Sequence, residues 1–261
     1  MKIRREKYDV VFNFHGNSTS YLFTIFSGSP EKIGLETHRF KKNYTHVIRP
    51  VKNIHSVLLQ LSYLKYFNID LSKEDISSDF FIPSEAESKV EKKLERMEVK
   101  NFILIHPNAT LESKKWPEEK FAKLNDLLIE NNFSPLFVVA PFELDVLEKI
   151  ERNSKNGIKK IIADNIKELG AVIKKSEIFI CCDSGPMHMG AALKKKILVI
   201  WGSSNYNVWH PWMTKFVVVK KDLDCMPCPG YKCSRYKYPR CIKDIDVEEV
   251  LRSFKELIEK N

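Results

Sequence analysis

Three observations predict that this chain is an α/β protein built on parallel sheet. From Phe102 onward, short apolar runs of strand length alternate with amphipathic stretches of helix length, the pattern of βαβ units. The longest apolar runs, such as Ile197-Leu-Val-Ile-Trp201, have the length of buried strands and fall far short of the ~18 residues a membrane span needs. In Ile178-Phe-Ile-Cys-Cys-Asp-Ser-Gly-Pro-Met-His188, an apolar run stops at an acid and a Ser-Gly-Pro turn follows. The small, apolar Met189-Gly-Ala-Ala-Leu193 then reads as a buried helix.

Taken in order, residues 9–14 read as a buried strand running into His15-Gly-Asn-Ser, 47–48 as a second strand, and 54–67 as a helix. Residues 70–93 are polar, with Lys-Glu-Asp, Ser-Ser-Asp and Glu-Ala-Glu clusters, and read as linker plus helix. The expected domains are therefore 1–90 and 91–261. In the second, strands are predicted over 102–106, 135–140, 160–163, 177–182, 196–201 and 216–219. Helices are predicted over 117–131, 143–153, 166–175, 186–194 and 247–259. Trp116-Pro-Glu-Glu opens the first of these well, with Pro at the start and acids in the first turn.

The 261 residues suffice for one large domain or two modest ones, and 43% hydrophobic with 30% charged residues is ordinary for a globular protein. Val10-Val-Phe12 is cut off by Asn13, His15 and Asn17, so the N-terminus is no signal peptide and a cytoplasmic protein is expected. The formal charge of +9 (43 basic against 34 acidic residues) fits an anionic partner: nucleic acid, a phosphorylated substrate or an acidic membrane face. Lys215, Lys220, Lys221, Lys232, Arg235, Lys237, Arg240 and Lys243 concentrate the excess, against Asp222 and Asp224; a solvated basic face would look the same. Neither Gly-x-Gly-x-x-Gly nor a Walker-type loop occurs, which argues against dehydrogenases and P-loop NTPases.

The chemistry concentrates at strand ends. After Asp183, Ser184 stands where a helix cap would, Pro186 suits a first turn, and Gly185 lets a ligand approach the backbone. Unpaired N–H groups and the positive dipole end would then face an anion at the carboxyl edge of the sheet, where ligands of open α/β folds sit. His188, in the same first turn, is a further candidate, although lone histidines are commonly structural. His106-Pro-Asn-Ala-Thr-Leu-Glu-Ser-Lys-Lys-Trp-Pro117 also joins a strand end to a helix start. In it, Thr110 and Lys114 offer a hydroxyl donor and a countercharge for phosphate. Glu143 follows a third strand end and has two readings, a ribose acceptor or a dipole-favoured acid at a helix start.

Cys225-Met-Pro-Cys228, Cys233 and Cys241 group four of the six cysteines. Zinc ligation is open to such a set, but the spacings are not those of a common zinc ribbon, and a reduced structural loop without metal is expected. Cys181 and Cys182 read as core thiols.

Together these residues resemble glycosyltransferase family nine, the heptosyltransferases of lipopolysaccharide core synthesis. The family's His-Pro/Ala…Thr…Lys-x-Trp-Pro loop is matched at 106–117, and its Asp-Ser/Thr-Gly-x-x-His at 183–188 with Gly190-Ala-Ala after it. Its Phe/Trp-Gly strand end is matched by Trp201-Gly202, its Trp-x-Pro by Trp209-His-Pro211, and its late cysteine cluster by 225–241. Residues 8–34 resemble its Tyr-Asp-x-Val-Ile-Asp-x-x-Gly-Asn segment and later Ile-Gly.

The resemblance implies a GT-B fold of two Rossmann-like domains, the first truncated, and inverting transfer of a sugar from a nucleotide donor, ADP-heptose, to a lipopolysaccharide core acceptor. It implies Thr110 and Lys114 on the diphosphate, Glu143 on the ribose, and Asp183 on the sugar. The helix start at Ser184, Gly185, Pro186 and His188 would face the diphosphate. No cofactor, metal or nucleic-acid partner is expected, and peripheral contact with the inner face of the inner membrane is. The family's leading strand, with a glycine-rich loop and an Asp held to be the general base, has no counterpart here, and its next Asp is Asn13. The catalytic base is left unassigned, His15 being a weak substitute, and the chain is expected to bind donor but transfer slowly or not at all. A sugar-nucleotide-binding protein without turnover is the alternative.

Overall fold

The computed structural model describes residues 2–228 and 231–259. The chain divides into two compact units: the smaller runs to Ile76 and takes in Asn207–His210, and the larger comprises Ser77–Tyr206 and the residues from Pro211 on.

In the smaller unit, β1 (Val10–Phe12), β2 (Glu31–Leu35) and β3 (His46–Ile48) form a parallel sheet in that order, with Phe12 opposite Ile33 and Ile33 opposite His46. Ile33, Leu35 and Tyr63 are its buried core. Helices α1 (Lys2–Arg5), α2 (Ser18–Phe26) and α3 (Ser56–Leu61) accompany it, and α3 tightens into a 3-10 turn over Ser62–Phe67. Neither β2 nor α2 is expected from the sequence pattern. Gly34 makes β2 a poor strand by composition, yet a Cβ there would lie 2.3 Å from the Tyr44 ring, so the glycine makes room for that packing. Helix α2 reads like a strand in Tyr21-Leu-Phe-Thr-Ile-Phe26, but the Asn17 side chain accepts from Ser20 N–H at 2.8 Å and starts a helix.

The larger unit runs α4 (Ser84–Arg96), β4 (Ile103–His106), α5 (Glu118–Glu130), β5 (Pro135–Val139), α6 (Leu144–Asn153), β6 (Lys160–Ile162), α7 (Ile166–Lys175), β7 (Ile178–Cys182), α8 (Gly185–Ala192) and β8 (Lys196–Trp201). It ends with α9 (Tyr206–Trp209), whose last residues fall in the smaller unit, β9 (Phe216–Lys220), α10 (Arg240–Lys243) and α11 (Val247–Glu259). Each strand predicted beyond residue 100 forms, and every pairing is parallel, in the order β6-β5-β4-β7-β8-β9. Strands β4, β5 and β7 are buried throughout, which is why their sequences are continuous apolar runs.

Helices cover both faces. Phe121 and Leu124 of α5, Leu147 and Ile150 of α6, and Phe254 of α11 pack on Ile105, Phe137 and Ile180. Leu94 of α4, Val172 of α7 and Met187 of α8 pack on Leu104, Val138, Phe179 and Val199. From β4 the chain winds outward through β5 and β6, then returns to place β7 on the other side of β4. The helices after β4 and β7 thus lie on opposite faces, and the carboxyl ends of these two strands open a crevice at a topological switch point.

Residues 77–90, read from sequence as part of the first domain, lie with the larger unit. The reason is α4: Val90 and Leu94 are buried against that sheet, and Lys89 and Lys93 pair with Asp164 and the 2%-exposed Glu168.

Among the described residues no helix is long and apolar enough to cross a membrane, and no group of three or more His, Cys, Asp or Glu is arranged to hold a metal. Cys225, Cys228, Cys233 and Cys241 are free thiols, and burial, with the other three thiols adding to it, pushes Cys241 up to about 11. Pro229 and Gly230, within this loop, lie outside the described residues. Four of the eight clustered basic residues are ion-paired: Lys220 with Asp222, Lys221 with Glu249, Arg240 with Asp244, and Lys243 with Glu112. Among the described residues, half of those eight basic side chains are therefore ion-paired within the fold.

Candidate functional site

The first loop of the site leaves β4 at His106. Trp116 anchors its far end: the indole is 1% exposed, donates to the Ile245 carbonyl at 3.0 Å, and meets Phe121 edge-on at 4.9 Å. The middle of the loop lies against the end of β8. A Cβ on Gly202 would stand 2.1 Å from the Ser113 carbonyl oxygen and 3.1 Å from Lys114 Cα, so only glycine permits this approach. The Ser113 and Ser203 hydroxyls join at 2.8 Å.

This close seating carries Lys114 to Asp183 at the end of β7, with Nζ 2.9 Å from Oδ2. The Asp183 side chain is 3% exposed and Lys114 21%. A carboxylate this deep needs a countercharge, and Lys114 supplies it. The resemblance implies these two residues on different parts of a ligand, diphosphate and sugar; the structure pairs them directly.

Helix α8 follows. Ser184 stands at its cap position, but the expected capping bond does not form: its hydroxyl is 3.3 Å from the Cys182 carbonyl, to which it donates. The extended backbone at Ser184 (φ −155°) turns the side chain back along β7. A Cβ on Gly185 would meet nothing within 4 Å, so the helix start is open to a ligand. His188 is half-buried within the same turn.

The third strand end is Ala140. Glu143 reaches back from a 3-10 turn, where its Oε2 accepts the Ala140 N–H at 2.9 Å. Its Oε1 accepts from Asn108 Nδ2 at 2.6 Å, and His106 Nε2 lies 3.8 Å from Oε2. Burial holds the His106 imidazole below its ordinary value, with the Glu143 charge pulling the other way.

These strand ends border one cavity of about 820 Å³. Of the residues singled out from the sequence, Thr110, Glu143, Ser184, Gly185 and Pro186 line it; Lys114, Asp183 and His188 are not among its lining residues. Lys115, next to Lys114, does line it. So do Phe142, 85% exposed, and Ile166, 60% exposed, beside Leu169 and Met189. A polar floor under such apolar walls suits a flat, partly apolar ligand that carries hydroxyls and an anion. The sequence reading missed Asn108, Lys115, Phe142 and Ile166. Asn108, Phe142 and Ile166 stand within four residues of a strand end, the signal that marks them; Lys115 lies nine residues past β4 and is marked only by its place beside Lys114 in the same loop.

In the smaller unit, Asn13 is 3% exposed and hydrogen-bonds through both its side-chain polar atoms. Its Oδ1 accepts from His15 N–H at 3.2 Å and Gly16 N–H at 2.9 Å, and its Nδ2 donates to the Tyr44 hydroxyl at 3.0 Å. It pins the turn after β1 and has no basic lone pair to offer. His15 is exposed on that turn.

A family model described as glycosyltransferase family 9 (heptosyltransferase) matches residues 1–239. Lipooligosaccharide heptosyltransferase 2 of Campylobacter jejuni is 28% identical over 247 residues, 92% of this chain and 75% of that protein. Lipopolysaccharide heptosyltransferase 3 of Escherichia coli K12 is 27% identical over 225 residues, 82% of this chain and 64% of that protein, so this chain spans less than two thirds of that relative. A crystal structure of a family 9 glycosyl transferase from Veillonella parvula superposes with a TM-score of 0.82 at 19% identity, covering 100% of this chain and 78% of that one. The fold is therefore of the same α/β class.

Proposed function

We propose the following reaction on the premise that this chain belongs to glycosyltransferase family 9, the heptosyltransferases: inverting transfer of heptose from ADP-heptose to a lipopolysaccharide core acceptor. The observation that carries the donor half is the meeting of four strand-end loops, after β4, β5, β6 and β7, on one cavity at the switch point of the larger sheet. Glu143 accepts from the ribose hydroxyls. Thr110 and the start of α8, at Ser184, Gly185, Pro186 and His188, take the diphosphate. Lys114 leaves Asp183 for the diphosphate, and the released Asp183 carboxylate accepts from the sugar. The ammonium and the helix-end N–H groups then stabilise the charge that builds on the departing diphosphate, with no metal required. The +9 charge supports peripheral contact with an anionic membrane face, where a lipid-linked acceptor would be met.

One observation favours a second reading, donor binding without turnover. Asn13, where the resemblance expects an aspartate, is buried with both its side-chain polar atoms hydrogen-bonded. Mass spectrometry of a heptose-deficient core acceptor incubated with the chain and ADP-heptose separates the two. A mass gain of one heptose supports the enzyme. Donor binding without any gain supports the second reading, and no binding at all overturns both.

A further inference from the structure

The Glu143 carboxylate is held from two sides before any ligand arrives. Its Oε2 takes the Ala140 N–H at 2.9 Å, and its Oε1 takes the Asn108 amide at 2.6 Å. Asn108 is itself fixed, because its Oδ1 accepts the Ala109 N–H at 2.9 Å. The flipped amide would set oxygen against carboxylate oxygen and NH₂ against N–H, so one orientation alone satisfies both neighbours. Asn108 leaves β4 and Glu143 follows β5, so this bond ties two strand-end loops together, and both residues line the cavity. Each carboxylate oxygen still has lone pairs to offer after accepting one donor. The carboxyl plane is set, and two oxygens a fixed distance apart suit two hydroxyls on adjacent carbons.

We propose that Asn108 is a positioning residue that fixes Glu143 as a two-point acceptor for the ribose diol, making the site selective for ribonucleotides over 2′-deoxyribonucleotides. This rests on the nucleotide-sugar reading above. A site built to receive a hydroxyl rejects the analogue that lacks it, since its own polar group is then left short of a partner. That rejection holds only while the acceptor cannot turn away to another donor. Freed from Asn108, Glu143 rotates about its own side-chain bonds and the penalty for the missing 2′-hydroxyl shrinks.

The test is calorimetric titration of the full chain with ADP and with 2′-deoxy-ADP. The wild-type chain is expected to prefer ADP by about tenfold or more, as loss of a hydrogen bond to a charged group implies. Asn108→Ala is expected to cut that preference to about threefold or less while leaving affinity for 2′-deoxy-ADP within about threefold of wild type. A merely structural role would lower both affinities together. Asn108→Asp keeps the bond to Ala109 but sets a second carboxylate against Glu143; it too is expected to lose the preference, and it serves if the alanine variant misfolds. Equal binding of both nucleotides by the wild-type chain overturns the inference and leaves the donor reading standing. So does a preference undiminished in the folded variants, or an equal loss for both ligands. Failure of ADP, GDP and UDP alike to bind the wild-type chain overturns the donor reading itself, and this inference with it.

Discussion

The Lys114 ammonium, 2.9 Å from Asp183, has a structural duty at rest and a chemical one in the proposed complex. Lys114→Ala is expected to weaken ADP-heptose binding by about 1.5–3 kcal/mol, the scale of a hydrogen bond to a charged group. It should also lower the melting temperature of the free chain, since Asp183 would be left buried without a countercharge. Calorimetry and thermal melts read the two effects separately. Asp183→Ala is expected to weaken ADP-heptose more than ADP, and equal losses would remove Asp183 from the sugar.

A pH effect belongs to the same scale. Burial lowers His106 from its ordinary 6.5, and His38 and His55 likewise, so the folded chain refuses protons that the unfolded chain accepts. That contribution is complete above pH 6.5 and is lost as pH falls toward the folded values. Melting temperature should therefore drop between pH 7 and pH 5, and His106→Gln should blunt the drop. A second loss follows lower down. Asp126 and Glu168 are held low despite burial, by hydrogen bonds to Asp126 and by Lys89 and Lys93 at Glu168, so their contribution goes as pH falls through their folded values. Of the site itself, Thr110, Glu143, Ser184, Gly185 and Pro186 were legible because strand ends punctuate the sequence. The Lys114–Asp183 pair was not, since residues 69 apart meet only through the order of strands.

Among elements, the larger sheet is legible throughout, while in the smaller one β1 and β3 are legible and β2 is not, for a physical reason. Strands buried on both faces must be apolar throughout, as Ile178–Cys182 is, and the apolar, strand-length run stands out from its amphipathic neighbours. β2, Glu31–Leu35, is half-buried, charged at its start and carries Gly34, so its pairing partners decide its conformation rather than its own residues. Gly202 links element to site. Gly202→Ala forces a methyl to within 2.1 Å of the Ser113 carbonyl, so the loop carrying Lys114 must move off β8. The expected cost is about 1–3 kcal/mol in stability, by denaturant titration, together with a loss of nucleotide affinity. Gly185→Ala is the control for stability, because its Cβ enters open space.

At the scale of the whole molecule, alternating strands and helices gave away the α/β class, while the unit boundary needed the structure. Helix α4 falls in the stretch read as linker plus helix, and its buried Val90 and Leu94, with its lysines on Glu168, tie it to the larger unit. The cavity lies entirely within that unit, and the carboxyl edge between β4, β5 and β7 is where a nucleotide sugar is proposed to bind. Calorimetric titration of the chain with ADP-heptose, beside GDP- and UDP-sugars, tests this most directly. The account expects saturable binding of ADP-heptose at one site per chain, weakened about tenfold or more by Lys114→Ala. Absence of saturable binding by any of these donors, or unchanged affinity in Lys114→Ala, would contradict it.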